Sequence, residues 1–151
     1  MDTTTPILPV IDLKGGVVVR SFVQQFGFRD VYVADLDAIA GSEPAWNDYN
    51  AIAGEGLHLW IDAGCGEWDS VERLVSYVRD KVSTHRIVIG LESLVSRESL
   101  RDISENMDVA QLVFSLDLKN GRPLAAFPDW KHKEPIEIVA EAVGLGIRHL
   151  I

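Results

Sequence analysis

Short runs of aliphatic and β-branched residues recur along the chain, separated by stretches whose apolar positions repeat with a helical period. The runs at 7–12, 31–35, 57–62, 86–90, 111–117 and 147–151 are largely apolar rather than alternating, which predicts strands buried on both faces. Between them, Ser42 is placed to cap a helix that carries Trp46, Tyr49 and Ile52 and stops at Gly54. Asp69 is placed to cap a second, in which Val71, Leu74, Val75 and Val78 form one stripe at i, i+3, i+4 and i+7. Ser96 opens a third, with Leu100 and Ile103 inward. Pro135 suits the first turn of a fourth, which carries Ile136, Val139, Ala140 and Val143 before Gly144 and Gly146.

Repeated strand–helix units of this kind predict an α/β fold with a parallel sheet covered by helices. An open dinucleotide-binding sheet needs a glycine-rich turn leading from the first strand directly into a helix, whereas Gly15-Gly16 is followed by the β-prone Val17-Val18-Val19. Aspartates end strand after strand, at Asp12, Asp35, Asp62 and Asp117, which fits a (β/α)8 barrel, where active sites collect at the carboxyl ends of the strands. The chain also repeats itself: Ile11-Asp12-Leu13-Lys14-Gly15-Gly16 returns as Leu116-Asp117-Leu118-Lys119-Asn120-Gly121, each copy after an apolar run. Two equivalent carboxylates are thereby expected at two equivalent strand ends.

The expected organisation is one domain over residues 1–151, an incomplete barrel of five to six strands with a first half over about 1–105 and the opening of a second over 106–151. Only residues 20–30 separate the first strand region from the second, short for a parallel crossover, which suggests missing residues there. The sixth strand opens where the sequence stops, at Ile151, so we expect a fragment whose strand edges another chain covers, a homo-oligomer.

Composition narrows the function. Fourteen basic against 23 acidic side chains give a net charge of −9, a field that repels nucleic acid and anionic membrane surfaces. No run approaches the roughly 20 apolar residues of a membrane span. The single cysteine, Cys65, forms no intramolecular disulfide, and the N-terminal residues lack the features of a signal peptide, so the expected location is the cytoplasm.

The segment from Pro9 to Arg20 resembles the opening of the ProFAR isomerase family of histidine biosynthesis, which reads Pro-x-Ile-Asp-Leu, a glycine, then Val-Val-Arg. Val33-Ala34-Asp35-Leu36-Asp37-Ala38 is similar to that family's second strand, Arg86-Ile87-Val88-Ile89-Gly90 to its fourth and Ser115-Leu116-Asp117-Leu118 to its fifth. The resemblance implies a ribulose-phosphate-binding type of (β/α)8 barrel and an Amadori rearrangement of a phosphorylated aminoaldose to an aminoketose, without metal or organic cofactor. Asp12 and Asp117 match its two catalytic aspartates, carboxyl groups suited to delivering one proton and removing another. Lys14, Asp35, Asp62, Gly64 and Gly90 are the candidate substrate-binding residues. Lys119 matches Lys14 in the repeat and is a weaker candidate.

The chain departs from that family at its anion turn. The family's third strand enters a Gly-Gly-Gly turn that binds a substrate phosphate; here Asp62-Ala63-Gly64-Cys65 keeps one glycine. The fourth strand's Gly-Thr becomes Gly90-Leu91-Glu92. A carboxylate close to a phosphate costs on the order of 4 kcal/mol at an effective dielectric near 20. An alternative is thus a paralogue acting on another small phosphorylated substrate, in cofactor or one-carbon metabolism, and a third, of another class, is a non-catalytic half-barrel module that self-associates. His58, His85, His132 and His149 show no metal-ligand spacing, Lys131-His132-Lys133 reads as a solvated loop, Cys65 as a buried thiol, and the four tryptophans as packing.

Overall fold

The structure is a computed structural model that describes residues 7–14, 27–81 and 85–151. The apolar runs form strands β1 (Val10–Leu13), β2 (Asp30–Asp35), β3 (His58–Asp62), β4 (His85–Gly90) and β5 (Leu112–Ser115). After β5 come two short strands, β6 (Leu118–Lys119) and β7 (Arg122–Pro123), and near the end β8 (His149–Leu150). The helices are α1 (Leu36–Ile39), α2 (Trp46–Gly54), α3 (Trp68–Lys81), α4 (Arg97–Asn106), α5 (Pro128–Lys131) and α6 (Pro135–Gly144).

One six-stranded sheet runs in the order β1-β2-β3-β4-β5-β8, and every neighbouring pair is parallel. Strand order follows chain order without reversal. A doubly wound sheet reverses at a switch point; a barrel does not, and this sheet is part of a (β/α)8 barrel. The crossover from β1 to β2 has residues 14–29 available, since β1 ends at Leu13, and that span satisfies a parallel connection. The Gly15-Gly16 and Val17-Val18-Val19 part of the repeat lies outside the described residues.

Parity along the strands sorts side chains between two faces. Ile11, Leu13, Val33, Ile61, Ile87, Ile89 and Phe114 point to the helices and are buried with Tyr49, Ile52, Val71, Leu74, Val78, Leu100, Ile103, Ile138 and Ala142. The opposite face carries Asp12, paired with Ala34, which pairs in turn with Asp62. Arg86 stacks over Trp60 there, 4.5 Å from the ring centre, and the His149 ring lies 6.4 Å from the same indole.

Several helix starts differ from expectation. α2 begins at Trp46, and its cap is Ala45, whose amide is bound by Asp35 from the end of β2; Ser42 is not the cap. α3 begins at Trp68, so Asp69 sits within its first turn, favourable to the helix dipole but not a cap. Ser96 does cap α4, accepting the Ser99 amide at 3.1 Å. Pro135 opens α6 behind a Glu134–Glu137 capping box, but the buried face is Ile138 and Ala142, with Ile136 and Val143 exposed. Among the described residues no helix is long and apolar enough to cross a membrane.

Candidate active site

Because Asp12, Ala34 and Asp62 share one row and one face, the carboxyl ends of β1 and β3 present their aspartates on the side away from the helices. Asp12 is exposed there, two strands from Asp62. Asp62 is almost fully buried, and both oxygens are bound: Oδ1 accepts the Gly64 amide at 3.1 Å, and Oδ2 accepts the Tyr32 hydroxyl at 2.7 Å. Burial raises the Asp62 carboxyl above its ordinary range against these two bonds, and the nearby Asp117 charge adds to the rise. Burial likewise raises the Tyr32 phenol, so it acts here as a donor.

β4 and β5 bring two more carboxyl groups to this place. Gly90 and Ser115 are side by side in the ladder, and the Leu91 amide donates to the Ser115 carbonyl at 3.0 Å. From the β4 side Glu92 folds back over Gly90, its Oε1 2.5 Å from where a β-carbon on Gly90 would sit. From the β5 side Asp117 turns back to accept the Ser115 hydroxyl at 3.1 Å. The two carboxyl groups therefore approach one another above one rung of the sheet, close enough for Asp117 to act on the Glu92 carboxyl. Although Glu92 as a residue is exposed, its carboxyl is withdrawn enough that burial pushes it up to about 7, helped by the Asp117 and Asp62 charges. Glu92 was noticed in sequence only as a departure from a phosphate-binding pattern; its pairing with Asp117 joins residues 25 positions apart and leaves no local signal.

The other candidates fall differently. Asp35 follows Ala34 by one residue and so points to the helix side, fully buried. Its oxygens accept the Ala38 amide at 3.1 Å, the Ala45 amide at 2.8 Å and the Tyr49 hydroxyl at 2.6 Å. That set makes Asp35 a scaffold cap with no face toward a ligand, in place of the substrate contact expected of it. Leu91, at the family's threonine position, is likewise buried among the helices. Gly64 has φ +69, and a β-carbon there would sit 2.7 Å from the Ile39 Cα, so the turn demands glycine for packing as well as conformation. Gly66 packs still closer, its would-be β-carbon 1.9 Å from the Ser93 carbonyl oxygen, which presses the β3 turn onto the β4 turn. Gly90 is covered by Glu92. Lys14 and Lys119 are exposed beyond β1 and in β6. Burial pushes the Cys65 thiol up to about 11, which makes it an inert side chain at neutral pH. Among the described residues no group of three or more His, Cys, Asp or Glu side chains is arranged to hold a metal ion.

A family model described as "Histidine biosynthesis protein" matches residues 21–151, a span that includes Asp62, Glu92 and Asp117 and begins after Asp12. No curated protein matches the chain.

Proposed function

The chain belongs to the histidine biosynthesis protein family, and from that premise we propose that it is a cytoplasmic acid–base isomerase related to ProFAR isomerase, acting on a small phosphorylated aminosugar with Asp12 and Asp117 as its catalytic pair. The observation that carries the reading is the meeting of Asp117 with Glu92 at the carboxyl end of the sheet, on the face that also presents Asp12. In an Amadori rearrangement a proton delivered to the ring oxygen breaks its bond to C1 and leaves a Schiff base on the amine. Removal of a proton from C2 then gives an enaminol, whose return to the keto form completes the exchange with no net gain or loss of protons. Glu92, with its carboxyl raised to about 7, keeps a transferable proton beside Asp117 at neutral pH, so the β4–β5 side supplies the acid and Asp12 the base. Lys14 and Asp62 stand at the same end of the sheet and would border the substrate, while Gly64 and Gly90 hold the turns closed against Ile39 and Glu92. The chemistry calls for no cofactor.

Complementation of a histidine auxotroph by the full-length gene tests this reading. Growth with the parent gene and none with Asp117→Asn is the expected result; growth with both removes Asp117 from the mechanism.

The Asp62–Gly64 bond favours a second reading, a paralogue with another substrate. The turn amide that would meet a phosphate is already bound by the protein's own carboxylate. A binding screen of phosphorylated metabolites separates the two, because tight ProFAR binding removes the reason for a different substrate.

The outer strands support a third, self-association. Ile7 just before β1, Val10 within it and Leu150 in β8 are exposed apolar residues on the two outer strands. Light scattering that finds a folded monomer across the micromolar range would rule this out.

A further inference from the structure

The strands gather polar side chains at their amino ends as well. Asp30 opens β2 and His58 opens β3, side by side in the ladder, and Trp60 pairs with Arg86 near the start of β4. Strand parity puts all four on the face away from the helices. Asp30 precedes Ala34 by four residues along β2, so at roughly 3.3 Å per residue this group lies about 13 Å from the row that holds Asp12 and Asp62.

One indole holds two opposite charges apart here. Trp60 Nε1 donates to Asp30 Oδ1 at 3.3 Å, and His58 Nδ1 lies 3.6 Å from the same oxygen, which leaves Asp30 Oδ2 without a partner among the described residues. The Arg86 guanidinium covers the face of that ring, 4.5 Å from its centre. Arg86 belongs to no ion pair among the described residues, whereas Arg73, Arg97 and Lys133 are each bound to a glutamate. Asp30 and Arg86 thus line one cavity of about 270 Å³, together with His58, Trp60, Ala110 and Gln111, and do not neutralise one another.

We propose that this cavity binds a free α-amino acid as its zwitterion, with the carboxylate against Arg86, the ammonium against Asp30 and the side chain along Ala110 and the indole. An ion of one sign would leave the opposite charge of the cavity unpaired; a zwitterion answers both. The guanidinium meets a carboxylate with two parallel donors, and an ammonium brings three donors, one of which Asp30 Oδ2 is free to accept. The ligand carries no net charge, so the −9 of the chain does not repel it. A volume of about 270 Å³ suits one molecule of amino-acid size. The cavity shares no residue with the carboxyl groups at the other end of the sheet, so amino-acid binding does not depend on the isomerase reading.

Calorimetric titration of the full-length protein with L-leucine, 4-methylpentanoate and 3-methylbutylamine tests it, the last two being leucine without its ammonium and leucine without its carboxylate. Leucine is expected to bind at least about tenfold more tightly than either analogue. Asp30→Asn keeps an acceptor for the Trp60 indole and loses the charge, and it should weaken leucine by about tenfold or more, as should Arg86→Gln. Melting temperatures close to the parent's show that the variants are folded; if Arg86→Gln does not fold, Asp30→Asn and the two analogues decide the matter. Absence of leucine binding, equal binding of leucine and either analogue, or parental affinity in Asp30→Asn would each overturn the assignment. Asp12→Asn and Asp117→Asn should leave leucine affinity as it was, so a failure here and a failure of the isomerase reading are read separately.

Discussion

Asp62 binds the backbone amide of Gly64, two residues ahead of it, at 3.1 Å, and by doing so fills with its own carboxylate the place where a phosphate would take up that amide. It turns a glycine-bearing anion turn into a self-satisfied one, with the Tyr32 hydroxyl closing the other side of the carboxylate.

Releasing that amide should restore anion binding at the turn. Asp62→Gly is expected to bind one more equivalent of inorganic phosphate than the parent protein in a calorimetric titration, with the gain shrinking as salt is added over a Debye length of about 8 Å at physiological ionic strength. Unchanged stoichiometry would mean that the pressing of Gly66 onto Ser93 alone keeps the turn closed.

Asp35 holds three buried donors at once, so its removal leaves the Ala38 and Ala45 amides and the Tyr49 hydroxyl without their acceptor. Asp35→Ala is expected to lower unfolding stability by about 3 kcal/mol or more, read as a shift of the urea midpoint at constant slope. A loss below about 1 kcal/mol would show that water replaces the carboxylate and that α2 does not depend on it.

Glu92 makes stability depend on pH with a definite sign. Its folded carboxyl is raised from 4.5 to about 7, so between those values the folded chain holds more protons than the unfolded one, and stability falls as pH rises through that window. The groups that face it are Asp117 beyond β5, Asp62 on β3 and Tyr32 on β2. Glu92→Gln is expected to flatten the decline in melting temperature between pH 5 and 7, on the order of the window set by that shift. An unaltered slope would place the proton elsewhere.

Much of the fold was legible because its signals are local. Largely apolar runs, four of them ending in aspartate, announced buried parallel strands, and all six were found in sheet order, though the first starts at Val10, three residues later than its apolar run, and the last is reduced to His149–Leu150. Ser96 and Pro135 marked helix starts through caps that need only a few neighbouring residues. Ser42 misled because the amide at the start of α2 is bound from β2, ten residues away along the chain. On α6 the choice between the Ile136–Val143 face and the Ile138–Ala142 face was set by the direction from which the sheet covers the helix, which periodicity alone does not encode. Asp35 and Asp62 look alike in sequence, each ending an apolar strand, yet strand parity sends one to the helices and the other to the opposite face. Knowing which residue ends next to Ala34 requires the register, and the register is a property of the folded sheet.

The central claim is acid–base isomerisation by a pair of carboxyl groups at the ends of β1 and β5, and steady-state turnover of ProFAR by the full-length protein tests it most directly. Conversion of the aminoaldose to the aminoketose is expected, with kcat falling by about 10²- to 10⁴-fold in Asp12→Asn and in Asp117→Asn while the melting temperatures stay close to the parent's. Turnover that survives both substitutions would contradict it.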